Sequence, residues 1–315
     1  MTMASGLKML SSTEHALASY CSIRSSNELV DTTIFRARDV SIGAFRCPVT
    51  YASFRDTGPI ERHIIVFPRT GVWIQHEGAR RFLADPSVVT IYNAAQRYER
   101  FPESPAGDNC DWFGVSDALA REIVRHFDHC AAESDRPFAF AWAPSSARVY
   151  ARQRLLLHRA LANELDSLGG EEAVIELIAT VIGSAYDAQT ASPRPRDRRQ
   201  SAVRRQHDLA AAARAELLRT FTDNRSVTDI AVSIGSSPFH LCRVFRACTG
   251  RTLHEYRNEL RIRAALDSLA DPARATNLSA IAHDLGFASH SHFVRAMRRA
   301  TDFTPSALRA ELSGT

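Results

Sequence analysis

Long apolar runs are missing from this 315-residue sequence. No stretch approaches the roughly 18 consecutive apolar residues of a membrane-spanning helix, so no membrane partner is expected. The first twenty residues, MTMASGLKMLSSTEHALASY, hold one lysine and no apolar core of the signal-peptide kind, and a cytoplasmic location is the expectation. Paired cysteines are missing too. Cys21, Cys47, Cys110, Cys130, Cys242 and Cys248 form no C-x-x-C pair and no close metal-ligand spacing. Reduced, mostly buried thiols are therefore expected, with a thiol redox switch as the alternative. Lysine is absent from Arg194 onward, so the positive charge of that region is carried by arginine alone.

What is present is enough to build packed cores. Hydrophobic residues make up 45 % of the chain, which excludes wholesale disorder, and the length suits about two domains. From Arg194 to Thr315 there are 20 arginines against 12 carboxylates, a net of +8, so residues 1–193 carry −4 of the overall +4. A basic half that meets a polyanion and an acidic half with a different task fit this split; chance distribution is the plain alternative. The stretch DAQTASPRPRDRRQ, with two prolines and dense charge, lies where the sign changes and reads as a linker. The boundaries expected are 1–188 for the first domain, 189–200 for the linker and 201–315 for the second domain.

Between about residues 30 and 114, short β-branched and aromatic runs alternate with turn residues: HIIVF before Pro68, GVWIQHEG and PSVVTIYN. These read as strands of a small antiparallel sandwich or barrel. From about Ser116 the spacing turns helical. SDALAREIVRHF opens on a Ser-Asp cap signal. SSARVYARQRLLLHRALANELDSLGG is expected to end at Gly169-Gly170, and EEAVIELIATVIGSAY follows with acidic residues in its first turn. The last two segments form either an oligomerisation surface or ordinary packing on the strands. After the linker everything reads as helix, beginning with the alanine-rich SAVRRQHDLAAAARAELLRTF.

The C-terminal half contains a repeat. Ile230, Ala231, Ile234 and Gly235 match Ile281, Ala282, Leu285 and Gly286 at an offset of 51, and Ser237, His240, Leu241, Arg243 and Arg246 match Ser289, His292, Phe293, Arg295 and Arg298 at an offset of 52. Thr249 and Thr252 continue into Thr301 and Thr304. Each copy has the logic of a helix-turn-helix: an apolar face, a small residue at the crossing, a glycine at the turn and a serine N-cap, followed in the first copy by Pro238 at the first helical position. Leu241, Val244 and Phe245 are expected to face in, with Phe239, Cys242, Arg243 and Arg246 facing out. In the second copy Phe293, Ala296 and Met297 face in, while His290, Ser291, Val294, Arg295 and Arg298 face out. Outward arginines at the start of such a helix suit base recognition in a major groove. LHEYRNELRIRAALDSLA between the copies reads as one helix of about 18 residues, near 27 Å. It is a strut that could set two readers in successive groove segments about 34 Å apart. His283, His290 and His292 have no carboxylate or cysteine set at zinc spacing; no metal is expected, and His292 is expected to pack within the fold.

At SSPFHLCRVFRACTG, and at IAHDLGFASHSHFVRAMRR followed by FTPSALR, the chain resembles the AraC/XylS family of transcription regulators over roughly 214–309. Thr301-Asp302 stands where that family usually has an aromatic-glycine pair, Met297 where phenylalanine is usual, and Leu308 where an aromatic is usual. More weakly, RRFLADPSVVTIYNAAQRYERF is similar to the cupin-like sensor domain of many members. The resemblance implies an α+β, two-domain chain. Its N-terminal part would be an antiparallel, cupin-like β-barrel with a helical dimerisation segment. Its C-terminal part would be all-α, with helix-turn-helix subdomains at about 227–248 and 278–300 joined by a long helix. It implies DNA contacts from Ser237, Pro238, Phe239, Cys242 and Arg243, and from Ser289, His290, Ser291, Val294 and Arg295, with Arg246 and Arg298 beside them. The partners implied are double-stranded promoter half-sites, a second copy of the chain, RNA polymerase if it activates, and a small-molecule effector. Trp73, Tyr92 and Tyr98 either line the effector pocket or fill the sheet core. No cofactor and no catalytic residue are expected, because His76-Glu77 lacks the matching histidines of enzymatic cupins. A metal-dependent cupin enzyme with a DNA anchor and a protein-binding helical module remain as alternatives.

Overall fold

A computed structural model describes residues 28–56, 58–190, 200–271 and 277–313; Cys21 and most of the expected linker lie outside them. Among the described residues the N-terminal half holds nine strands: β1 (Val30–Arg36), β2 (Val40–Cys47), β3 (His63–Pro68), β4 (Val72–His76), β5 (Phe82–Ala84), β6 (Val88–Tyr92), β7 (Tyr98–Pro102), β8 (Asp108–Val115) and β9 (Trp142–Pro144). All pairs are antiparallel. They form one sheet ordered β1-β2-β8-β3-β6-β9 and another ordered β5-β4-β7. Side-chain alternation gives the larger sheet two different faces. Val66, Tyr92, Cys110 and Trp112 point toward the smaller sheet, while Ile65, Phe67, Ile91 and Phe113 point toward helices. Of the sandwich and barrel expected, the described residues form an open pair of sheets, and the cupin-like barrel is corrected to that extent. β5 is only three residues long, and a helix of the C-terminal half covers it: Arg214 donates to the Leu83 carbonyl at 3.1 Å.

Four helices follow or flank the strands: α1 (Asp117–Arg125), α2 (His129–Ala132), α3 (Ala147–Leu161) and α4 (Ser167–Thr190). Ser116 caps α1 as its sequence signals. α3 stops at Leu161, well before the glycine pair expected to end it, and Asn163 turns the chain with φ 57°. Gly169 and Gly170 instead lie in the first turn of α4, where the Asp166 carboxylate accepts from the Gly169 amide at 2.6 Å. Gly170 is there for contact rather than termination, since a Cβ on it would stand 2.3 Å from the Phe35 ring. Consequently Glu171 and Glu172 fall in the second turn. Of the two readings of α3 and α4, packing accounts for their apolar faces. Val174, Leu177, Ile178 and Val181 of α4, and Tyr150 and Leu157 of α3, are buried within the chain.

The C-terminal half contains α5 (Gln200–Thr220), α6 (Val227–Ser233), α7 (Pro238–Thr249), α8 (Leu253–Leu269), α9 (Leu278–Asp284), α10 (His290–Thr301) and α11 (Pro305–Ser313). α5, α6, α7 and the first half of α8 enclose a core of Ala213, Leu217, Ile230, Leu241, Phe245 and Tyr256. The second half of α8 packs with α9, α10 and α11, and this core is continuous with that of the N-terminal half through α3. The strut α8 is thus buried on both sides, with a Thr252–Glu255 capping box fixing its start. Its 17 residues span about 26 Å.

Candidate nucleic-acid interface

The two copies of the sequence repeat fold alike, down to individual hydrogen bonds. In the first, the Ser226–Asp229 capping box starts α6. Gly235 turns the chain at φ 67°, and the Ser236 amide donates back to the Ala231 carbonyl at 2.9 Å. In the second, Asn277 caps α9, Gly286 turns at φ 76°, and the Phe287 amide donates to the Ala282 carbonyl at 3.0 Å. Ser237 and Ser289 then cap α7 and α10, accepting from the amides of His240 at 3.3 Å and His292 at 3.1 Å. At the far ends Thr249 and Thr301 play one role: each hydroxyl donates to a carbonyl one turn back, Phe245 or Met297, at 2.7 and 2.9 Å.

The inward residues are buried as their spacing predicts, Leu241, Val244 and Phe245 in α7 and Phe293 and Met297 in α10, while Ala296 is only half-buried. Ser237, Pro238, Cys242, Arg243 and Arg246 are exposed, and Phe239 is 79 % exposed. An aromatic ring left that bare at the start of a helix has no packing role in the chain. Ser289, His290, Ser291, Arg295 and Arg298 are exposed as well; Val294 is half-buried against the fold. His292 packs edge-on to Phe287 with ring centres 5.6 Å apart, in line with the expectation. Its repeat partner His240 is exposed, because Ser236 stands where Phe287 would supply the ring.

Three features of this surface have no signature in linear spacing. Arg261 of α8, largely buried, donates through Nε to the Phe221 carbonyl at 2.6 Å and through Nη2 to the Asp223 carbonyl at 3.2 Å, closing the C-terminus of α5. Burial, with Arg257 alongside, brings its pKa down to about 10. Gly286 sits against the same corner, where a Cβ would lie 2.1 Å from the Thr222 carbonyl oxygen. Asp302, in the position that usually holds glycine, adopts φ 70° and pairs with Arg148 of α3 at 2.6 Å. The first two join the subdomains to each other; the third joins the end of α10 to the N-terminal half.

Between the two sheets lies a cavity of about 760 Å³. Tyr92 and Tyr98 line it together with Phe45, Ile74 and Trp112. Trp73 does not; it is half-buried and donates from Nε1 to Glu103 at 2.6 Å. Asp108 at the wall is held by Arg100 at 2.8 Å. His76 is buried beside Tyr92 and Tyr98, with Nδ1 2.7 Å from Gln96. Burial lowers its pKa to about 4, which leaves the ring neutral at physiological pH.

Comparison with known proteins places these features. A family model described as a helix-turn-helix domain matches residues 230–311. The regulatory protein SoxS of Salmonella typhimurium is 39 % identical over 83 residues, 26 % of this chain and 76 % of SoxS; SoxS of Escherichia coli K12 is 37 % identical over the same shares. AdaA of Bacillus subtilis, a bifunctional transcriptional activator and DNA repair enzyme, is 30 % identical over 91 residues, 29 % of this chain and 42 % of AdaA. Among solved structures, an apo ToxT variant of Vibrio cholerae aligns over 88 % of this chain and all of that one, at TM-score 0.37 and 13 % identity. Wild-type ToxT with an unsaturated fatty acid bound aligns over 89 % of this chain and 99 % of that one, at TM-score 0.33 and 13 % identity. At such scores the assignment rests on the sequence relatives and on the repeated motif. With two capped helix-turn-helix units presenting arginine on their open faces, and with relatives that are transcription regulators, the chain belongs to the AraC/XylS family and is a DNA-binding transcription regulator.

Proposed function

We propose that this regulator is sequence-specific and effector-responsive. It acts in the cytoplasm and at the nucleoid, as a homodimer on adjacent promoter half-sites, with residues 1–188 as a cupin-like sensor, 189–200 as connection and 201–315 as reader. The first subdomain contacts DNA through Ser237, Pro238, Phe239, Cys242, Arg243 and Arg246. The second does so through Ser289, His290, Ser291, Val294, Arg295 and Arg298. The observation that carries this reading is the pair of serine-capped helices in the same local frame, with their apolar faces consumed and their arginines exposed. Helix N-termini favour phosphate oxygens, arginine pairs with guanine N7 and O6, and an exposed apolar side chain suits a thymine methyl. The sandwich cavity takes a small molecule, which regulates only if it binds one arrangement of the two halves better than the other. As an activator, the default in this family, the DNA-bound protein would also contact RNA polymerase.

The test is selection of a duplex from a random library with the full-length protein, followed by Arg295→Ala. Loss of about 1–3 kcal/mol, with relaxed preference at one base pair, is the expected result. Uniform weakening on every sequence would make Arg295 a phosphate contact only.

A further inference from the structure

A glycine on β2 places a carboxylate at the wall of the sandwich cavity. Trp112 of β8 is opposite Gly43 of β2, and Gly43 is opposite Thr33 of β1. A Cβ on Gly43 would stand 2.2 Å from the Trp112 ring, so the indole lies across β2 through the space that the glycine leaves. Its Nε1 thereby reaches the edge strand and donates to Asp31 Oδ1 at 3.0 Å. Asp31, Phe45 and Trp112 all line the cavity, and the register sets Asp31 opposite Phe45. The carboxylate therefore stands beside aromatic rings. Further along the lining the surface is apolar, with Val66, Val72, Ile74 and Tyr92 all buried.

Asp31 is oriented by this bond but not neutralised. Partial burial, chiefly, raises its carboxyl above the ordinary range, and Glu61 adds to the shift. The Trp112 bond and the charge of Arg62 oppose it without cancelling it. A cation brought within about 4–6 Å would favour the ionised form of such a group. Arg62 is engaged elsewhere: Nη1 donates to the Ser41 hydroxyl at 2.9 Å, and the guanidinium lies 5.7 Å from the centre of the Trp112 ring. Arg36 stands at the far end of β1, roughly 16 Å along the strand from Asp31. Among the described residues the charged lining is Asp31, Asp56, Glu61 and Asp108 against Arg36 and Arg62. With Asp108 already paired to Arg100, the balance stays negative, which draws cations into a cleft and repels anions. The rings act in the same direction, because aromatic faces attract cations, as Trp112 does the Arg62 guanidinium.

We propose that the ligand of this cavity is an organic cation with an apolar body, an amine whose ammonium pairs with Asp31 beside Phe45 and Trp112 and whose hydrocarbon or aromatic part packs on Val66, Val72, Ile74 and Tyr92. The inference rests on the reading of the cavity as a small-molecule site and goes beyond it by naming the head group that the site selects. A volume of about 760 Å³ falls within the range of sites that enclose drug-sized molecules.

The test is calorimetric titration of the full-length protein with three compounds that share one body and differ in charge: phenylbutylamine, phenylbutanol and phenylbutyrate. The amine should bind about ten-fold more tightly than the alcohol, with the anion weakest. Asp31→Asn should bring the amine down to the level of the alcohol and leave the alcohol unchanged. The indole N–H signal of Trp112, one of three tryptophans and identified by elimination with Trp73→Phe and Trp142→Phe, reports binding in the cavity and should move with each bound compound. Equal affinity for amine and alcohol, preference for the anion, or an amine preference that survives in Asp31→Asn would overturn the proposal. Failure of the cavity reading is separable. Binding that leaves the Trp112 signal in place, or no binding of any of the three, would remove the small-molecule site itself and the proposal with it.

Discussion

Gly235 and Gly286 occupy the same place in the two repeats, yet the structure gives them unequal burdens. Both have positive φ, which costs a residue with a Cβ about 1–2 kcal/mol. Gly235 has open space around it, whereas Gly286 abuts the Thr222 carbonyl. Chemical denaturation should therefore show Gly235→Ala losing about 1 kcal/mol and Gly286→Ala about 2–4 kcal/mol, overpacking being added to strain. The glycines and their turns were legible from sequence; the difference between them was not, because Thr222 lies more than sixty residues away along the chain. His76 is a second residue whose environment sets a measurable quantity. Its folded pKa of about 4 lies below the ordinary 6.5, so between these values the unfolded chain binds the extra proton. Stability should be complete above pH 6.5 and fall by up to about 3 kcal/mol as pH drops toward 4. His63 and His158, lowered chiefly by burial, push the same way. His76→Phe should flatten part of that slope in pH-dependent unfolding, and an unchanged slope would contradict the assignment.

Among the elements, α7 and α10 were the most legible, since serine caps, apolar stripes and outward arginines follow from a 3.6-residue period alone. The end of α10 was less so. Asp302 keeps the left-handed cap that the family usually gives to glycine and adds an ion pair to Arg148, with both side chains about two-thirds exposed. Exposed pairs of that kind contribute about 0–1 kcal/mol, and glycine relieves a similar cost at such a φ. Asp302→Gly should thus leave the melting temperature nearly unchanged while weakening the tie between α10 and α3, visible as faster exchange at the end of α10. The Gly169-Gly170 pair was misleading for the opposite reason. Glycine in a sequence signals a helix end, but here it makes room for the Phe35 ring, a contact that no local pattern announces. The strand segments were read correctly as strands, whereas their division into two open sheets is announced by no local pattern.

For the whole molecule, the split in charge marked the division between a strand-rich half and a helical half but not the ionic contacts between them, whose partners stand up to 171 positions apart. Burial works to raise the Asp85 carboxyl, and Arg214 with the hydrogen bonds of Ser87 and Tyr256 more than reverses this, holding it below the usual 3.8. A carboxyl so depressed contributes stability above its unfolded value and loses it only as pH falls through the lower folded one. The overall dimensions measured by small-angle scattering should accordingly stay constant from pH 8 to pH 5, and expansion within that window would mean that a different group governs those contacts. The joint made by Arg261 and Gly286 bears on the DNA itself. It fastens the two helix-turn-helix units to one corner of the protein, with a strut of about 26 Å between them. A rigid caliper leaves the duplex to yield wherever its groove spacing differs from the caliper's own. Base pairs that no side chain touches would then enter the choice of site through their stiffness, with flexible pyrimidine–purine steps between the two contacted segments favoured over rigid A-tracts.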